Sequence, residues 1–344
     1  MKRYSANVWE TLIEALNVYW HVVMKEWPTL LAVFIPLQLV MALCRYSIAS
    51  DGAKNLTIIR FENLAATTLG LTLGLVAVAL VVDRVFRKCT GQRRPSGDGI
   101  AAAWGRMMAT GWLRMIAEAA LVVLAIIAIA IVIMFVSSAS LAQVGGSKSA
   151  FSVIIACIIL SPLVVAIVWI LLRWSFAVLL SAIHPIMGST AMRTSSRFVR
   201  GRFAICFLMI VAAWLVGAGI SAIPDSLAMW YSRGEMMGLP APSGTVLART
   251  AVMFLGDLFV SFGSLFLPTA MTTFWVRTVE PCDLSEDIRH GRAHIWIVAL
   301  LLLGLFAYAV TGFYCVKAAL RARDGDCAAE SGPARGAAQG AFLV

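Results

Sequence analysis

The sequence predicts an all-α fold: a polytopic transmembrane helical bundle, six helices in one module plus a seventh span, with interfacial amphipathic helices. Three observations carry this. Seven apolar stretches recur at 28–48, 64–86, 112–136, 149–172, 203–223, 250–276 and 295–316, each long enough to cross about 30 Å of hydrocarbon at about 1.5 Å per helical residue. Runs such as Leu121–Val136 and Ile297–Leu305 lack the period-two alternation of barrel strands, which leaves the helix as the way to satisfy backbone polar groups in lipid. Basic residues gather in every second loop. A chain that is 60% hydrophobic and 13% charged, with mean hydropathy +0.87, falls far from the roughly 25% charged composition of soluble domains.

Taken in order, the first span follows Trp27 and contains Pro36. The second carries Gly70 and Gly74, a GxxxG face that permits close backbone approach. The third contains Glu118, and the fourth contains Pro162 and ends at Arg173. Gly217 and Gly219 offer the fifth a similar small-residue face, while the sixth contains Asp257 and Pro268. Prolines inside spans predict kinks. The expected organisation is an interfacial amphipathic helix over 1–27, the six-helix module over 28–290, an additional transmembrane helix over 291–320 and a disordered tail over 321–344.

The formal charge of +10 does not point to nucleic acid, because its distribution follows membrane topology. The N-terminal segment and the loops at 84–111, 173–202 and 277–294 hold 17 Lys and Arg, against 10 on the other side, with Arg114 inside a span. That asymmetry predicts a cytoplasmic N-terminus. Seven crossings then put the basic residues after Val316 outside, against the rule, and the internal loops are taken to dominate. The seven cysteines are scattered singly, without CxxC or Cys/His ligand spacing, so no metal and no cofactor are expected. Residues 1–26 have no apolar core before a small-residue cleavage site, so no cleavable signal is expected.

The odd-numbered spans begin near Pro28, Trp112, Phe203 and Ile295, which are 84, 91 and 92 residues apart. Short stretches of helical spacing precede each: Val8 to Trp27, Ala102 to Trp112, Ala191 to Arg202 and, more weakly, Leu284 to His290. One reading is a repeated unit of interfacial helix plus hairpin; the other is ordinary amphipathic loops.

The sharpest pattern is Leu172-Arg173-Trp174-Ser175-Phe176-Ala177 followed by Ala191 to Phe203, with Arg193, Arg197, Arg200 and Arg202 and no acid. Four arginines before a span serve as a topology signal, or as a site for anionic lipid headgroups or an acidic partner. This order resembles the YciC-like membrane proteins and the membrane domain found beside glycerophosphoryl diester phosphodiesterases, over roughly 5–290. His184 replaces the acidic or amide residue of the connector, and Phe198 replaces a leucine. The resemblance implies a six-helix inner-membrane module, uncharacterised in activity and related to membrane lipids. The phosphodiesterase domain is absent from the sequence.

Intramembrane ionisable groups mark candidate sites because each costs about 2.5–3.5 kcal/mol at mid-helix. Glu118 and Arg173 lie at similar depth, where they can pair as a structural link or form a substrate or proton site. For Asp257 the nearest basic residue in the sequence is Arg249, eight positions earlier. Paired carboxylates, a Ser/His dyad in adjacent spans and HExxH are missing, so no catalytic residue is assigned and no enzyme is expected. Two function classes remain. One is a non-enzymatic protein whose basic face binds membrane lipids or organises a membrane-protein partner or a second copy of the chain. The other is a small transporter or flippase using proline-kinked spans and Asp257.

Overall fold

The computed structural model describes residues 7–50, 56–141, 149–233, 246–279 and 295–310. Every regular element among them is a helix: α1 (Val8–Ser50), α2 (Leu56–Thr90), α3 (Ile100–Leu141), α4 (Ser149–Trp174), α5 (Ala177–Ile183), α6 (Gly188–Val199), α7 (Phe203–Arg233), α8 (Val246–Ser264), α9 (Phe266–Val279) and α10 (Ile295–Val310). Five segments are long and apolar enough to cross a membrane: Val8–Leu43, Ile100–Ala130, Val164–Ile183, Phe203–Pro224 and Thr250–Val279. The expected span at 64–86 falls inside α2, where only part of the side chains is described. That at 295–316 is described as far as Val310, as a shorter apolar helix. The tail over 321–344 and the weak amphipathic stretch Leu284 to His290 lie outside the described residues.

Two expectations about element boundaries change. The interfacial helix expected over 1–27 is not separate, because α1 runs on through Pro28 and Pro36. A proline removes one i→i−4 hydrogen bond but leaves the others intact, and unravelling the helix in lipid would strand many more backbone groups. The stretch before the third span is likewise continuous with it in α3. Among the described residues, only α6 stands apart as a short amphipathic helix. Its chain leaves through Arg200, Gly201 and Arg202, with Arg202 N–H donating to the Val199 carbonyl at 2.9 Å. Gly201 has φ +80°, a conformation that only glycine adopts without strain.

The prolines differ in effect. The helix continues past Pro162 in α4, whereas the sixth span divides at Leu265 into α8 and α9. Pro268 cannot donate to the carbonyl of Ser264, the last residue of α8, and Leu265 N–H turns to the Phe262 carbonyl at 3.0 Å instead.

The chain forms two compact units. The first comprises 1–26, 72–211 and 267–289, and the second 27–71, 212–266 and 290–344. Thus α1, α2 and α7 each contribute to both.

In the second unit the helices meet at glycines. A Cβ on Gly217 would lie 2.8 Å from the Gly263 carbonyl oxygen, and one on Gly263 would lie 2.7 Å from that of Gly217. A Cβ on Gly219 would collide with the Leu300 carbonyl, and one on Gly304 with that of Leu215. So α7 packs backbone to backbone against both α8 and α10, the close approach by which membrane helices gain van der Waals contact without a hydrophobic driving force. The Gly70 and Gly74 face has no such role here. A Cβ on Gly70 would sit 3.7 Å from Leu37 Cδ1, an ordinary contact, and one on Gly74 would meet nothing within 4 Å. Trp214 stacks on Tyr308 at 4.1 Å, Phe34 meets Phe262 edge-on at 5.3 Å, and Gln38 Nε2 donates to Ser261 Oγ at 2.8 Å.

The first unit is built around α5, whose Ala177, Leu179, Leu180, Ser181, Ala182 and Ile183 are all buried. Phe176 closes its start, with ring centroids 5.0 Å from Phe198 and 6.2 Å from Phe274. His184 ends it in extended geometry (φ −106°, ψ 156°), as the following Pro185 requires.

Candidate functional site

The polar chemistry of the first unit begins with a problem that its short central helix creates. The last carbonyls of any helix lack intrahelical donors, and those of α5 are buried. Residues of the α2–α3 loop and of α3 supply the missing donors. Arg106 Nε donates to the Ser181 carbonyl at 3.0 Å, Arg94 Nη1 to that of Ala182 at 2.7 Å, and Ser96 N–H to that of Ile183 at 3.3 Å. Cations at a helix C-terminus also meet the negative end of its dipole.

Each guanidinium is held in turn by a carboxylate. Arg94 Nε lies 2.7 Å from Asp83 Oδ1, with both side chains 2% exposed, and its Nη2 donates to the Asp98 carbonyl at 3.2 Å. Arg106 forks onto both carboxylate oxygens of Asp98. Those hydrogen bonds hold the Asp98 carboxyl down at about 2, well below its usual range.

The same pairing extends through the unit. Asp83 also meets Arg87 at 2.9 Å, Glu26 meets Arg84 at 2.8 Å, Glu14 and Glu10 both meet Arg277, and Glu118 meets Arg114 at 2.5 Å. Glu118 therefore does not pair with Arg173. Arg114 stands one helical turn before it on α3, so the contact is local, while the Arg173 guanidinium lies 3.7 Å over the Trp169 ring on its own helix.

All six described acids of this unit are thus matched to arginines, and the surplus is cationic. Lys25, Lys88, Arg93, Arg193, Arg197 and Arg200 are exposed and have no ion-pair partner among the described residues. Arg193 and Arg197, four residues apart, share one face of α6, and Arg200 caps its C-terminal end outside helical geometry. The opposite face, Ala191, Met192, Ser195 and Val199, is buried, and Ser195 Oγ donates to the Arg173 carbonyl at 2.5 Å. Arg202 lies past the helix end, with its guanidinium 5.5 Å from the Phe198 ring. So α6 is anchored by its small and apolar residues and presents Arg193 and Arg197, two of the four arginines predicted as a site, with Arg200 and Arg202 just past its end.

His184 sits beside Trp275 with ring centroids 5.0 Å apart, and burial pushes its pKa below the ordinary value. Asp257 belongs to the second unit. It is half-buried, its backbone carbonyl accepts from Ser261 Oγ at 2.8 Å, and it is engaged by further neighbours. The expectation of an isolated intramembrane acid is therefore revised.

The sequence reading missed Asp83, Asp98, Glu14 and Glu26. A usable signal was present, in that Asp98 is the single acid within the basic stretch 84–111 and Asp83 immediately precedes it.

Residues 98–262 are similar to a protein family described as Domain of unknown function (DUF8558). This region runs from Asp98 through α3 to α7 and most of α8, so it includes the 172–203 motif and the α6 arginines. No curated protein and no solved structure matches the chain.

Proposed function

We propose that the protein is a non-enzymatic, multi-pass protein of the inner membrane whose basic end binds anionic lipid headgroups from the cytoplasmic side. The observation that carries this is the internal neutralisation of every described acid in the first unit. It leaves Arg193 and Arg197 exposed on one face of a packed helix, with Arg200 at its C-cap and Arg202 just beyond. A net cation surplus set for topology alone needs no such arrangement. Juxtamembrane Lys and Arg near an anionic leaflet contribute about 1 kcal/mol each, so three or four together select anionic over zwitterionic lipid. The resemblance of 172–203 to YciC-like proteins is the reason for placing lipids before an acidic protein partner. The bundle in this reading is six spans plus α10.

The test is the lipid that accompanies the protein when it is extracted from mixed membranes in polymer discs. An anionic fraction above that of the bulk membrane, returning to the bulk value in the R193Q/R197Q/R200Q/R202Q variant, supports the reading. An unenriched fraction in the wild type contradicts it.

A second reading, a small transporter or flippase, draws on the division of the sixth span at Leu265, since transporters use discontinuous helices at their sites. It predicts a proteoliposome flux that D257N abolishes.

A further inference from the structure

A second surface of the first unit has a different composition from α6. On α1, Asn17, Trp20, His21, Met24 and Lys25 line an open cleft of about 610 Å³. They form two adjacent i,i+4 rows: Trp20 with Met24, and Asn17 with His21 and Lys25. One row is apolar and aromatic, the other polar and basic. Trp20 and Met24 are each 58% exposed, although the same turns bury Ala15, Val18, Tyr19 and Val22. The helix is therefore packed, and the exposure is a property of one face.

Charge sorts the possible occupants. His21 and Lys25 have no ion-pair partner among the described residues. Glu26, the adjacent acid, is paired with Arg84, and Glu14 is committed to Arg277, so among the described residues neither of these carboxylates competes with an anionic ligand for Lys25 and His21. Lys25 lies three residues before Pro28, where the first apolar stretch begins. Tryptophan prefers the headgroup level of a bilayer, where its ring is covered and its indole N–H meets polar groups.

We infer that this face seats one anionic glycerophospholipid, its phosphodiester on Lys25 and His21 and the upper part of its chains along Trp20 and Met24. The inference rests on the preceding reading in one respect, that the Arg-rich end meets an anionic leaflet. It adds a site separate from α6, with an apolar row that α6 lacks.

The experiment counts phospholipids retained on the purified full chain by native mass spectrometry after titration with phosphatidylglycerol or phosphatidylcholine. The expected result is one fewer retained phosphatidylglycerol in W20A/K25Q than in the wild type, with about tenfold weaker retention in K25Q alone. K25R keeps the lipid. K25Q alters an exposed side chain, so a misfolded double variant leaves the test intact. Soluble glycerophosphoglycerol, which has the headgroup and no chains, should not displace the lipid.

An unchanged count in K25Q and W20A/K25Q overturns the seat, and so does equal retention of phosphatidylcholine. Displacement by the soluble phosphodiester overturns it by showing that the apolar row does nothing. R193Q/R197Q/R200Q/R202Q should lose other phosphatidylglycerol molecules while keeping this one. If that variant retains them all and K25Q does not, the α6 reading fails and the α1 seat stands.

Discussion

Arg94 illustrates how much of the basic end is internal structure. Its guanidinium serves Asp83, the Ala182 carbonyl and the Asp98 carbonyl at once, and removing it would take one buried partner from Asp83 and the side-chain donor from the Ala182 carbonyl. Breaking a buried pair from one side costs about 3–5 kcal/mol. Because Arg87 still reaches Asp83, R94A is expected near the low end, at about 3 kcal/mol, read as a fall in thermal stability in a fixed detergent. His184 gives a pH signature. Burial depresses its pKa below 6.5, so the unfolded chain binds the proton more readily than the native one. The stability contribution is complete above about pH 6.5 and is lost as pH falls through the depressed value. Thermal unfolding between pH 7.5 and 5 should show that loss, and H184Q should flatten it.

At the scale of elements, glycine position decides helix packing, and sequence pattern alone does not say which glycines matter. The GxxxG spacing of Gly70 and Gly74 fits a packing face, yet a Cβ at Gly74 would touch nothing within 4 Å. Gly219 and Gly304, by contrast, face backbone carbonyls on the partner helix. G219A and G304A should therefore each destabilise by about 1–3 kcal/mol through forced separation of α7 and α10. G74A should be neutral or up to about 1 kcal/mol stabilising, from helix propensity. Equal effects at all three positions would contradict the packing described. Proline behaves similarly. Pro36 and Pro268 both lie inside apolar stretches, but only the second sits where a helix stops.

For the whole molecule, the helical class and the membrane-crossing length of five segments were legible in the sequence, because both follow from composition along the chain. So was the cluster of Arg193, Arg197, Arg200 and Arg202, four arginines without an acid ahead of a span, although not which of them lie on α6. The Asp83–Arg94 and Asp98–Arg106 pairs were not. Their meaning depends on α5, which lies some 80 residues further along and brings its unpaired carbonyls to that loop. Glu118 was misjudged for a related reason: depth in the membrane suggested Arg173, while Arg114 one turn away had already taken it. The consequence is a unit whose described acids are consumed internally and whose exposed charge, among the described residues, is cationic, and the functional proposal depends on that imbalance.

The most direct test is the thermal shift that phosphatidylglycerol produces in the detergent-purified protein, measured against phosphatidylcholine at low and high salt. The wild type should be stabilised selectively by the anionic lipid, less so at high salt, and R193Q/R197Q/R200Q/R202Q should lose most of that selectivity. Equal stabilisation by both lipids, or a selectivity that survives the four substitutions, would contradict headgroup recognition by α6.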